Sequence, residues 1–127
     1  MSACDPYLGE VSGAILEDAW YELEGAYEVY GIGLCRFVLV RCRVAILIGI
    51  SLLVIRKGVS RPESGIEPML RDMEMPGHLI DSCLEIDRVG RYQFSQREKD
   101  DDQEHAATVL SKTLEVFEWV REEWGDD

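Results

Sequence analysis

Residues 34–57 read LCRFVLVRCRVAILIGISLLVIRK, the most apolar stretch of the chain. Val38, Val40, Val44, Ile46, Ile48, Ile50, Val54 and Ile55 make it rich in β-branched side chains. Such side chains are stiff at χ1 and pack best on a pleated surface. The stretch is too long for one ordinary strand. It therefore reads as two strands, broken near residues 41–44 or near residues 49–51. A membrane span fits less well. The charge-free run from Val44 to Ile55 covers only 12 residues, whereas a span needs roughly 20. Extending it backward would place Arg41 and Arg43 in hydrocarbon, which is costly.

On the N-terminal side, residues 6–30 show the spacing of an amphipathic helix. Leu8, Val11, Ile15, Ala19, Leu23, Ala26, Tyr27 and Tyr30 recur every three or four residues, and Leu16 and Trp20 widen that stripe. Asp5 suits the N-cap, Pro6 the first helical position, and Gly31 a left-handed C-cap. On the C-terminal side, Gly58, Pro62, Gly65 and Pro68 predict a loop, and Ile66, Met69, Leu70 and Met73 a short helix stopped by Pro76-Gly77. Leu84 and Ile86, then Tyr92 and Phe94, alternate with polar residues around a turn at residues 87–90, which predicts a hairpin. Leu79, Ile80, Cys83 and Leu84 fit a helix as well. Residues 96–104 form a charged loop in which Asp101 or Asp102 can cap a last helix. That helix runs to about Trp124 with Ala106, Val109, Leu110, Leu114, Phe117, Val120 and Trp124 on one face.

The expected fold is a single α+β domain over residues 1–127. A small antiparallel or mixed sheet would be packed by long N-terminal and C-terminal amphipathic helices. The chain order, small size and acidity are similar to the layout of class I type III secretion chaperones. That resemblance implies a dimer holding a partner segment on apolar sheet surface.

Acids outnumber bases 25 to 13, for a formal net charge of −12 and a pI near 4.5. Nucleic-acid binding through a general basic surface is disfavoured, because it depends on phosphate neutralisation. Adsorption to an anionic membrane is disfavoured for the same reason. The charge is also unevenly placed. Residues 1–35 hold seven acids and no base, and residues 36–61 hold six bases and no acid. If Arg41 and Arg43 sit on a strand they share a face, where they would pair with carboxylates of the flanking helices.

Glu10, Glu17 and Glu24 stand seven residues apart, with Glu28 four further on, opposite the apolar stripe of the first helix. Glu104, Glu115, Glu118 and Glu122 do the same on the last helix. These columns are either solvated faces or docking surfaces for a basic partner. High acid with low lysine also suits a protein adapted to high salt. Trp119, off the apolar face, is a candidate anchor or a side chain packed beneath the charged loop.

The four cysteines lack metal-ligand spacing, and an acidic N-terminus does not resemble a secretory leader. They read as reduced, buried cytosolic thiols. His78 and His105 have no serine or cysteine arrangement that suggests a triad. GIG at 31–33 is too weak for a nucleotide site, and residues 100–102 fail the calcium-loop pattern. No catalytic residue, metal or cofactor is expected.

The function expected is therefore that of a non-enzymatic acidic inhibitor in the cytoplasm, which is the host cytoplasm for a phage-encoded chain. Phage anti-defence proteins (anti-CRISPR or anti-restriction) and toxin immunity proteins are similar in size and charge. Such a protein would dock on a basic, nucleic-acid-binding surface of its target, with carboxylates standing where phosphates would. The partner-binding candidates are Glu10, Glu17, Glu24, Glu28, Glu115, Glu118, Glu122 and Trp119. No direct nucleic-acid or membrane contact is expected; a homodimer is compatible with this reading.

Overall fold

The computed structural model describes residues 5–58, 66–92 and 103–125, except for the side chains of residues 5–15 and 92. Five helices follow in order: α1 (Asp5–Gly31), α2 (Cys35–Lys57), α3 (Ile66–Asp72), α4 (Gly77–Tyr92) and α5 (Gln103–Trp124). Among the described residues there is no strand. The expected α+β fold with a sheet is thus incorrect, and so is the apolar sheet surface that a chaperone-like protein would use.

Both corrections have a physical cause. The β-branched residues of 34–57 form one continuous helix because helix propensity costs them only a few tenths of a kcal/mol each. Burial outweighs that. Cys35, Val38, Leu39, Cys42, Ala45, Ile46, Gly49, Ile50 and Leu53 are buried at helical spacing. α2 packs against α1, α4 and α5, and a helix apolar nearly all round belongs in the middle of a bundle. The alternation at 84–86 was coincidental: Leu79, Ile80, Cys83 and Ile86 form the buried side of α4. The expected hairpin turn at 87–90 lies inside that helix.

α1 and α5 follow their expected bounds closely, and so does the short α3. The cap of α1 differs from expectation. Gly33, not Gly31, takes the left-handed conformation, with φ 83°. The amide of Leu34 donates to the carbonyl of Val29, and that of Gly33 to Tyr30. This paired closure satisfies carbonyls that the last turn leaves free. It also turns the chain straight back into α2, so α1 and α2 make a tight helical hairpin. The expected caps at Asp101 and Asp102 and the charged loop before them lie outside the described residues.

α5 runs alongside α2 in the same direction. Thr113 lies by Cys42, Phe117 by Gly49, and Lys57 by Glu123. Phe117 is fully buried and meets Trp20 of α1 at a ring-centroid distance of 5.4 Å. One aromatic contact thus ties three helices together.

Candidate functional site: an acidic face on the first and last helices

α2 carries five of the cations, and three of them, Arg41, Arg43 and Lys57, pair with acids of other helices. Successive helical residues turn by about 100°, so Arg41 and Arg43 point to nearly opposite sides and not to one face as on a strand. Arg41 reaches Glu22 of α1 at 3.3 Å. Arg43 reaches Asp87 of α4 at 2.9 Å. Both routes pass over a glycine. A Cβ on Gly25 would lie 2.6 Å from the Arg41 guanidinium, and one on Gly90 would lie 2.5 Å from Arg43 Cβ and 2.8 Å from the Leu39 carbonyl. Asp87 also binds Arg91 one turn on. Lys57 pairs with Glu123 at 2.7 Å, and Lys112 with Glu85 at 3.0 Å. The expected pairing with a flanking helix holds for Arg41 on α1; Arg43 pairs instead with α4, where a hairpin turn was expected.

The consequence is a partition of the acids. Glu22, Glu85, Asp87 and Glu123 stitch the helices together. Glu17, Glu24, Glu28, Glu115, Glu118 and Glu122 are exposed, and none forms an ion pair among the described residues. Glu104 is exposed too. The side chain of Glu10 lies outside the described residues.

The two columns border one seam. Trp20 and Tyr27 share the edge of α1 between its buried stripe and its acids, about 70° from the column by helical rotation. That edge faces α5. Phe117 packs on Trp20, and the Arg121 guanidinium covers the same indole at 5.0 Å. Tyr27 sits close enough to Glu118 to feel its charge. Its hydroxyl pKa is raised, first by partial burial, then by Cys42, then by Glu118. Expected in the apolar stripe, Tyr27 is instead 42% exposed.

Trp119 is half-buried and packs against the core. Trp20 and Trp124 also sit at the core edge, Trp124 under the Arg56 guanidinium. Tyr21 escaped the sequence reading. It is 67% exposed and lies four residues from Glu17 and three from Glu24, inside the α1 column. Helical spacing from the two glutamates would have found it.

Cys35, Cys42 and Cys83 are buried; Cys4 lies outside the described residues. Burial pushes the Cys42 thiol up to about 11, against a small opposing hydrogen bond from Thr113. Burial alone pushes Cys83 up to about 12. Thiols held protonated in this way are poor nucleophiles and poor metal ligands. Among the described residues no group of three or more His, Cys, Asp and Glu side chains could hold a metal ion. His78 is exposed and His105 half-buried.

Comparison with protein-family models, with curated proteins and with solved structures gave no match. Among the described residues one helix, α2, is long and apolar enough by length and composition to cross a membrane, and 56% of its most apolar window is buried inside the fold.

Proposed function

We propose that this chain is a helical, non-enzymatic binding module. It docks on a basic surface of a partner protein through the acidic face formed by α1 and α5. The observation that supports this reading is the partition of the carboxylates. Arg41, Arg43 and Lys57 pair with acids away from the columns, and among the described residues Glu17, Glu24, Glu28, Glu115, Glu118 and Glu122 form no ion pair, which leaves their charge for an external partner. Like charges at helical spacing repel by a few tenths of a kcal/mol per pair, so the arrangement lowers the stability of the fold. A complementary surface would recover that loss and steer association. A net charge of −12 makes nucleic acid an unfavourable partner and a basic protein a favourable one. A cytoplasmic location belongs to the same proposal; in its favour, the apolar α2 is used as the core of the bundle.

The test compares the wild-type chain with the Glu17→Lys/Glu24→Lys double variant as immobilised baits in host extract. Proteins retained by the wild type at low salt should be released as ionic strength rises, because exposed charges are screened beyond about 10 Å at 0.1 M. The double variant should fail to retain them. An identical set of retained proteins on both baits at every salt concentration would overturn the proposal.

A further inference from the structure

The outer face of α1 is an unpartnered helical stripe in which Glu17, Tyr21, Glu24 and Glu28 follow one another at spacings of four, three and four residues. Tyr21 is the most exposed aromatic side chain in the described structure, at 67%. It stands between two carboxylates that form no ion pair among the described residues. Two bases that face α1 are committed elsewhere: Arg121 lies over Trp20, and Arg41 is bound to Glu22. An exposed phenol ring flanked by unpaired carboxylates one turn to either side has a specific complement. A guanidinium can stack on the ring face while its fork of N–H donors reaches a neighbouring carboxylate. An ammonium can approach a ring or a carboxylate, but as a compact, strongly hydrated point charge it lacks the planar fork that does both at once. The fold already shows the ring half of this geometry, with Arg56 over Trp124 at 4.3 Å and Arg121 over Trp20 at 5.0 Å.

We infer that the Glu17–Tyr21–Glu24 stripe selects a partner segment that presents arginine in preference to lysine. Tyr21 is the anchor and the two glutamates are its clamps. This inference rests on the acidic-face reading above and names the chemistry of the partner at that face.

The experiment titrates the intact protein with an oligoarginine peptide and with an oligolysine peptide of equal length and charge. Oligoarginine should bind more tightly by roughly threefold to fivefold, the scale of an exposed cation–π contact. Tyr21→Phe should keep that preference because the ring remains. Tyr21→Leu should erase it while leaving salt-sensitive binding of both peptides, because apolar area is retained and the π face is lost. Equal binding of the two peptides, abolished by Glu17→Lys/Glu24→Lys, would overturn the arginine inference and leave the acidic-face proposal standing. So would a preference that survives Tyr21→Leu. Peptide binding unaffected by the double charge reversal would overturn both.

Discussion

Two populations of carboxylates share the surfaces of α1 and α5 and differ in what holds them. Glu22 and Glu123, with Glu85 and Asp87 on α4, each meet a cation from another helix. Among the described residues Glu17, Glu24, Glu28, Glu115, Glu118 and Glu122 meet none. The difference follows from position on the helical wheel. An acid at the border of the buried stripe faces the neighbouring helix and its arginine or lysine; an acid opposite the stripe faces outward. The inner acids therefore belong to folding, and the outer acids are free for recognition.

The sharpest way to break the inner set is to remove the space it uses. Gly90→Ala would drive a methyl group against the Leu39 carbonyl at 2.8 Å and the Arg43 side chain. Backbone cannot swing aside, so overpacking should cost about 2–3 kcal/mol, measured as a drop in urea midpoint. Asp87→Ala comes next. It strips Arg43 and Arg91 of their shared partner. With the Arg43 side chain about one-third exposed, water screens the loss to about 1–2 kcal/mol. Gly25→Ala should cost less, under about 1 kcal/mol, because the obstructing atom is the mobile end of Arg41 and the pair it disturbs is well exposed.

The outer set should behave in the opposite sense. Glu24→Gln or Glu118→Gln should change stability by no more than about 0.5 kcal/mol, on the stabilising side at low salt, because it relieves repulsion. A loss above about 1 kcal/mol from either would mean that the outer acids hold the fold, and the two-population distinction would collapse.

The same geometry explains which parts of the molecule could be read in advance. α1 and α5 each have one apolar edge and one wet edge, so their periodicity is visible, and their acid columns were visible with it. α2 touches three helices, so apolar residues cover most of its circumference and blur the contrast that marks a helix. The buried heptad of Cys35, Cys42 and Gly49, with Val38, Ala45 and Leu52 between them, was hidden by that blurring. Gly90 misled for a related reason. Glycine allows a turn and it also allows close backbone approach, and sequence alone does not separate the two uses. Here the approach of α4 to α2 is the operative one. Tyr21 was overlooked because it lies on the polar side of an amphipathic helix, where aromatic residues are not sought.

The central place of α2 has a consequence for the order of events during synthesis. The Gly33 turn lets α1 cover one side of α2 as soon as both have left the ribosome. The side that meets Thr113 and Phe117 must wait for roughly sixty more residues, about 3–12 s at ordinary elongation rates. Throughout that interval the nascent chain displays its most apolar helix half-clothed. The bundle closes late, and until then the seven acids of residues 1–35 lend solubilising charge to the apolar helix that follows them.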